Sequence, residues 1–159
     1  DSLEFENHFE FSELLCTKCL CPRITGRKTR GTILNINIID QEFAPIEHDD
    51  VDALMKIVEF PKRFYDNDVY HRSLSLDSFA KTTDGVVLCV DLTTMKREKN
   101  ILGDFETLFD SIYFSDIGED VKKTLLRRLL DCIDETKLKT LAEVKKYTEY
   151  KTELFSFAK

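Results

Sequence analysis

Two stripes of apolar residues at helical spacing, both in the C-terminal half, most constrain what this chain can fold into. The first stripe contains Ile101, Leu102, Phe105, Leu108, Phe109 and Ile112, and the second contains Val121, Leu125, Leu126, Leu129, Leu130 and Ile133. Apolar residues that recur every three or four positions line one face of an α-helix. The two stripes therefore predict two amphipathic helices. A third, weaker stripe that includes Leu138, Leu141, Val144 and Tyr147 predicts another helix.

Three other segments have the patterns of β-strands. Residues 32–39 read TILNINII, and residues 86–92 begin with the continuous apolar run VVLCV that is typical of a strand covered on both faces. Residues 3–11 alternate apolar with acidic side chains, which is the period of a half-buried strand. The turn between strands is predicted at Asp84-Gly85. The predicted fold is therefore α/β or α+β, with a small central sheet, helices packed on it and a helical C-terminal third.

The chain length predicts one globular domain over residues 1–159. A sequence of 159 residues, 42% of them hydrophobic, falls within the roughly 100–200 residues usual for one domain. A short amphipathic helix is predicted over Asp49–Phe60, and Pro61 is expected to end it. The predicted core consists of Leu34, Ile36, Ile38, Val86, Leu88, Phe105, Leu108, Phe109, Leu126, Leu129 and Leu130.

Net charge and cysteine content limit the classes of partner and the cellular compartment that we expect for this protein. The 23 basic and 30 acidic residues give a net charge of −7, and this acidity argues against nucleic acid as the main partner, because nucleic-acid binding depends on excess Lys and Arg. The sequence contains no apolar run of the roughly 18–20 residues that a membrane span needs. It has five cysteines, an odd number, and no Asn-x-Ser/Thr acceptor. We therefore expect an intracellular protein, cytoplasmic or nuclear, with free thiols.

A basic segment interrupts the acidic N-terminal third. Arg23, Arg27, Lys28 and Arg30 lie between residues 1–14 and 40–52, both of which contain acids and no Lys or Arg. With Gly26 and little to bury, the segment is expected to be an exposed, mobile loop. Its charge predicts a contact with the acidic surface of a protein partner. The alternative is a solvated hairpin or connector that only offsets the neighbouring acids.

The spacing of three cysteines resembles that of a metal site. Thiolates at Cys16, Cys19 and Cys21 could converge on one tetrahedral zinc ion, but a structural zinc site needs a fourth ligand. The other cysteines, Cys89 and Cys132, lie in apolar patterns that place them in the core. His8 is the nearest candidate for the fourth ligand. We expect no metal and no cofactor.

The loop after the strand at 86–92 carries a second group of polar residues. Asp91, Thr93 and Thr94 follow the strand directly, and α/β proteins place much of their chemistry where strands end. The favoured interpretation is structural: Asp91 accepts loop N–H groups, while Thr93 or Thr94 caps the next helix. The alternative is a pocket for an enzyme or ligand-binding domain, formed by Asp40, Asp91, Thr93 and Thr94.

Two stretches, residues 32–42 and 83–94, resemble strands of the small-GTPase (Ras-like) family. In that family one strand ends in Asp-x-x-Gly-Gln-Glu, where this chain has Asp40-Gln41-Glu42, and a later strand is similar to TDGVVLCVDLTT. The family's phosphate loop Lys and its Asn-Lys-x-Asp guanine motif are missing here. The resemblance therefore implies a nucleotide-free pseudo-GTPase that serves as a protein-binding platform. None of the family's nucleotide-contacting residues carries over.

The sequence contains no recognisable catalytic constellation. Its three histidines are scattered, and its acids are too numerous to single out a pair. We therefore predict a non-enzymatic protein-interaction module within a larger intracellular assembly. The alternative is an enzyme or ligand-binding domain with its pocket at the C-terminal end of the central strand, around Asp40 and Asp91.

Overall fold

The computed structural model describes residues 2–22, 24–30, 33–39 and 42–158, although the side chains of 2–6, 8–9, 24–30, 33–39 and 157–158 lie outside this description. The described part has a mixed α/β fold, as predicted. Its elements in chain order are α1 (Ser2–Cys16), β1 (Ile24–Arg30), β2 (Ile33–Ile39), β3 (Phe43–Pro45), α2 (Val51–Ile57), α3 (Phe60–Asp66), β4 (Val69–Tyr70), β5 (Phe79–Thr82), β6 (Val87–Cys89), β7 (Lys96–Arg97), α4 (Ile101–Tyr113), α5 (Glu119–Asp131) and α6 (Leu141–Ala158).

The strands of the described ranges form three small antiparallel sheets. One contains β1 and β2, one has the order β3-β5-β6, and one contains β4 and β7. The turn predicted at Asp84-Gly85 joins β5 to β6 and is closed by the Gly85 N–H, which donates to the Thr82 carbonyl at 2.9 Å. Gly85 has a φ of +85°, a conformation that glycine adopts without steric cost. All three residues of β6 are buried, as expected for a strand covered on both faces.

The strand predicted at residues 3–11 is wrong, because this segment belongs to helix α1. Phe11 and Leu15 are both buried, and they lie one helical turn apart. Asn7, one turn before Phe11, contacts the loop after β6. The segment contains no Gly or Pro that would interrupt a helix. The contacts of Asn7, Phe11 and Leu15, which are spaced one helical turn apart, therefore determine the structure of this segment, although its apolar and acidic residues alternate.

The predicted helices are present, with one change at a boundary. The helix predicted at Asp49–Phe60 is α2, which is shorter and spans Val51–Ile57, and its N-cap residue Asp50 accepts the Ala53 N–H at 3.2 Å. Pro61 does not end α2 but lies in the first turn of α3. Proline is favoured there because the first helical N–H groups have no partner within the helix.

In the described core, α4 packs against α5 and α3, and α5 packs against α6. As predicted, Leu88, Phe105, Leu108, Phe109, Leu126, Leu129 and Leu130 are buried. Val86 is a wrong prediction: its side chain is 45% exposed, because it belongs to the turn before β6, where its N–H donates to the Thr82 hydroxyl. The predicted burial of Leu34, Ile36 and Ile38 lies outside the described side chains.

Helix α6 packs on α4 through aromatic side chains. The Tyr150 ring lies 5.1 Å from the Phe105 ring and 4.7 Å from the Phe109 ring, measured between centroids. A salt bridge of 2.6 Å between the Lys146 ammonium and the Glu106 carboxylate joins the same two helices. These contacts fix which side of α6 faces the protein and which side faces solvent.

Candidate functional site

The basic segment of the sequence lies in strand β1. The backbone of Arg27 pairs with Asn37 and that of Lys28 pairs with Ile36 in the antiparallel pair of β1 and β2. Residues 24–30 are therefore a strand and not the loop we expected. Arg30 ends the strand, and Arg23 lies outside the described residues. The side chains of the segment are not described, so its contact with an acidic partner stays a prediction.

Asp91 is engaged by its own loop. Its Oδ1 atom accepts the Thr93 N–H at 3.3 Å and the Thr93 hydroxyl at 2.8 Å, which confirms that Asp91 satisfies a loop amide. The prediction that Thr93 or Thr94 caps the next helix is wrong. Helix α4 begins only at Ile101, and its N-cap is Asn100, whose side chain accepts the Gly103 N–H at 2.9 Å.

A side chain from α1 holds this loop from the other side. The Asn7 amide lies within 3.0 Å of the Leu92 carbonyl, 2.9 Å of the Thr93 carbonyl and 3.1 Å of the Met95 carbonyl. An amide nitrogen that donates to backbone carbonyls fixes the path of the chain. The loop that contains Asp91, Thr93 and Thr94 is thus tied to α1. Asp40, the fourth residue of the predicted pocket, lies outside the described residues.

The buried His71 side chain is also fully engaged. Its Nε2–H donates to the Asp91 carbonyl at 2.6 Å, and its Nδ1 accepts the Ser73 N–H at 3.3 Å. A ring nitrogen that accepts a hydrogen bond carries no proton, so this geometry is that of a ring protonated at Nε2. Burial lowers the pKa of His71, but hydrogen bonds to Cys89 and to the Asp91 carbonyl outweigh burial and raise it. Both ring nitrogens therefore serve the local structure.

Asp104 is the most unusual polar residue among the described side chains. It is 1% exposed, and its carboxylate accepts the N–H groups of His71 at 3.0 Å and Arg72 at 3.1 Å. Burial raises the pKa of Asp104 to about 7, although the two N–H groups act in the opposite direction. Arg72 has a φ of +82°, and Asp104 holds the backbone at this left-handed position.

The cysteines have different environments. Cys21 and Cys89 are buried, Cys16 is half-buried and Cys19 is exposed. The Cys89 N–H donates to the Leu20 carbonyl at 2.9 Å, and burial raises the pKa of the Cys89 thiol. In the part of the chain that the structure describes, no group of three or more His, Cys, Asp or Glu side chains is placed to hold a metal ion.

A groove of about 280 Å³ lies beside the Tyr65 ring. The ammonium groups of Lys99 and Lys137 lie 4.5 Å and 5.7 Å from the centre of this ring, distances typical of cation–π contacts. Lys99 also forms a salt bridge of 2.9 Å with Asp68, and Glu143 lines the same groove. Acidic and basic side chains therefore lie side by side at this groove, so it does not favour a ligand of either charge.

Helix α6 has two faces with different surroundings. The inner face contains Tyr147, Tyr150 and Leu154, which are buried. The outer face consists of Leu141, Val144, Thr148, Thr152 and Phe155, which are all exposed. Leu141 is 86% exposed, Phe155 71% and Val144 43%. Large apolar side chains exposed in series are typical of a surface that contacts another protein.

The third apolar stripe of the sequence predicts helix α6 but does not show which of its residues are buried. Leu141, Val144 and Tyr147 belong to the predicted third stripe, and of these three only Tyr147 is buried. The signal available in the sequence was an excess: α6 carries apolar residues on more of its circumference than one buried face requires. Asp104 and His71 were not singled out, because their contact joins residues distant in sequence.

The chain matches no known protein-family model, and no curated protein is detectably similar to it. Among the described residues, no helix is both long enough and apolar enough to cross a membrane. The geometry of the described surface is therefore the basis for the function proposed below.

Proposed function

We propose that this chain is a non-enzymatic protein-interaction module that acts within a larger intracellular assembly. The observation that carries the proposal is the outer face of α6, on which Leu141 and Phe155 are 86% and 71% exposed. Exposing these side chains to water has a free-energy cost, and burial against another protein removes it. A contact with another protein explains why this face of α6 is apolar although it does not pack on the core.

The polar loop after β6 supports a non-enzymatic function. Asp91 accepts hydrogen bonds from Thr93, His71 uses both ring nitrogens, and the Asp104 carboxylate accepts two backbone N–H groups. A catalytic acid or base must be able to reach a substrate proton. These groups instead hold backbone segments together.

The basic strand β1 supplies a second proposed contact, for an acidic protein surface. Arg23, Arg27, Lys28 and Arg30 concentrate positive charge on a chain whose net charge is −7. Such a patch steers a partner of opposite charge and favours one orientation of the complex. The Ras-like resemblance would make the module a nucleotide-free platform. The alternative function, a pocket around Asp40 and Asp91, likewise stays a prediction.

The test of this proposal is reconstituted binding. Proteins retained by the tagged full chain are identified, and each is purified and titrated against the wild type and the double variant Leu141→Ser/Phe155→Ser. We expect at least one purified partner whose affinity falls at least tenfold with the double variant. The control is Phe114→Ser, which removes an aromatic side chain that is 80% exposed but lies outside α6.

Two results would contradict the proposal. The first is that no purified partner binds the wild type. The second is that partners bind the double variant as tightly as the wild type, in which case the outer face is not the contact surface. Circular dichroism of the variant separates a lost contact from a lost fold, because exposed positions should leave the helical signal unchanged.

A further inference from the structure

The outer face of α6 is narrow, straight and apolar. At 100° per residue, Leu141, Val144, Thr148, Thr152 and Phe155 fall within a sector of roughly 80°. Such a stripe is the surface that a helix presents to one other helix lying along it. Its two ends carry the largest exposed side chains, Leu141 and Phe155, and Thr148 lies close to its middle.

The two threonines do not interrupt the apolar character of this stripe. The Thr148 hydroxyl donates to the Val144 carbonyl at 2.9 Å, and the Thr152 hydroxyl donates to the Thr148 carbonyl at 3.0 Å. Their donors are therefore satisfied inside the helix. A helix packed on the stripe needs to supply no acceptor for them, so burial of these residues leaves no hydroxyl proton unpaired.

Charges beside the stripe make it complementary to itself. Lys145 and Glu149 are exposed, lie one turn apart and flank the same side of the outer face. Among the described residues neither forms a salt bridge. When two α6 helices cross antiparallel with Thr148 at the centre, Leu141 lies opposite Phe155 of the other copy. The same arrangement brings Lys145 of each copy within reach of Glu149 of the other.

We propose that a second copy of this chain docks on the outer face of α6 to form an antiparallel, two-fold symmetric dimer. This inference rests on the proposed function, because it assigns the occupant of the same surface. Two-fold symmetry is the commonest way in which one patch serves both partners. Two reciprocal Lys145–Glu149 pairs set the antiparallel orientation, and the apolar stripe supplies most of the affinity. One helix from each copy makes a small interface, so the dissociation constant is on the order of micromolar.

The test exchanges the flanking charges. In Lys145→Glu both flanking positions are acidic, and in Glu149→Lys both are basic. Each variant alone places like charges across the two-fold axis, which we expect to weaken dimerisation about tenfold. A mixture of the two variants places opposite charges at every contact, and we expect a 1:1 heterodimer at least as tight as the wild-type dimer. Sedimentation equilibrium over about 0.1–100 µM protein brackets a micromolar constant and a tenfold weaker one.

Matched controls change the net charge equally at exposed positions outside α6. Lys56→Glu and Glu47→Lys should dimerise like the wild type, and Leu141→Ser/Phe155→Ser should stay monomeric. The proposal is overturned if the wild type is monomeric throughout this range, or if it dimerises but the exchanged charges have no effect. A monomeric wild type whose partner binding still depends on Leu141 and Phe155 would leave the proposed function standing and overturn only the dimer.

Discussion

Tyr70 packs directly against Gly103, and no side chain fits between them. A Cβ atom on Gly103 would lie 2.5 Å from the Tyr70 hydroxyl oxygen and 2.8 Å from two carbons of its ring. The next residue of the helix, Asp104, accepts the N–H groups of His71 and Arg72. Residues 70–72 are thus docked on the first turn of α4 by one close contact and two hydrogen bonds, and this docking positions the loop that follows β6.

The first prediction concerns Gly103→Ala. In an open helix this change is stabilising by about 1 kcal/mol, because alanine has the higher helix propensity. Here the new methyl group collides with the Tyr70 ring, so we expect a net loss of about 1–2 kcal/mol in the free energy of unfolding. Urea denaturation of the two proteins measures the difference.

The double variant separates the two effects. When Tyr70 is already replaced by Ala, the obstruction is gone and Gly103→Ala should be stabilising. If Gly103→Ala is stabilising in the wild-type background as well, the Tyr70 side chain moves aside without cost and the close contact does not constrain position 103.

The second prediction is a pH dependence caused by Asp104. Burial raises the pKa of this carboxyl to about 7 in the folded protein, whereas the unfolded value is about 4. Between these values the unfolded chain loses its proton and the folded chain keeps it. Stability therefore falls as the pH rises from about 4 to about 7, by on the order of 4 kcal/mol, and the loss is complete above the folded pKa.

Asp104→Asn removes the titration but offers only one acceptor oxygen, so one of the two N–H groups that the carboxylate accepts loses its partner at every pH. We therefore expect the variant to be less stable than the wild type near pH 4.5, and this deficit to shrink or reverse as the pH rises to 8. The measurement is the difference in unfolding free energy between the two proteins across that range. The opposite trend, a wild type that gains on the variant as the pH rises, would show that the two N–H groups outweigh burial.

The third prediction concerns Lys122, a buried residue of α5 whose side chain reaches the C-terminal end of α4. Its ammonium group donates to the Tyr113 carbonyl at 3.0 Å and to the Ser115 carbonyl at 2.8 Å. Helix C-termini leave carbonyl groups without partners, and a cation there is favourable. Lys122→Met keeps the apolar stem and removes the donors, so we expect a loss of about 1–3 kcal/mol in stability.

Lys56→Met, at an exposed position, should change stability by less than about 0.5 kcal/mol. Equal stability of Lys122→Met and wild type would contradict this capping role.

Helices α4 and α5 could be predicted from the sequence because their signal is local. The apolar residues of these helices recur at helical spacing and are buried, as Phe105, Phe109, Leu126 and Leu130 are. The residues within each helix are therefore enough to predict it. Segment 3–11 was predicted wrongly because its apolar and acidic residues alternate as in a strand, and Leu15, which is buried with Phe11, lies beyond it. The buried pair Phe11 and Leu15 shows that tertiary packing selects the helix.

The candidate site was harder to predict because it depends on which neighbours cover each residue. The sequence indicates that Leu141, Val144 and Tyr147 belong to one apolar helix, but periodicity does not determine that Tyr147 is buried and Leu141 lies in solvent. The role of Asp104 likewise depends on backbone N–H groups from a distant segment, and nothing in the local pattern marks them.

The fourth prediction concerns the basic strand β1. We expect Arg27→Gln/Lys28→Gln/Arg30→Gln to leave the melting temperature nearly unchanged, because the backbone pairing with β2 involves no side chain. The same variant should bind an acidic partner more weakly than the wild type. Its affinity should also depend less on salt, since exposed charges act over about 10 Å at 0.1 M ionic strength.

The matched control for β1 removes three exposed cations elsewhere, as Lys56→Gln/Arg127→Gln/Lys139→Gln. This control lowers the net charge by the same amount, so it should reproduce any effect that comes from overall charge alone. Titration of each purified partner at several salt concentrations distinguishes the two variants. If both variants bind the partner equally well, β1 has a structural role and does not bind the partner. If only the β1 variant unfolds, the charges of β1 are needed for the fold.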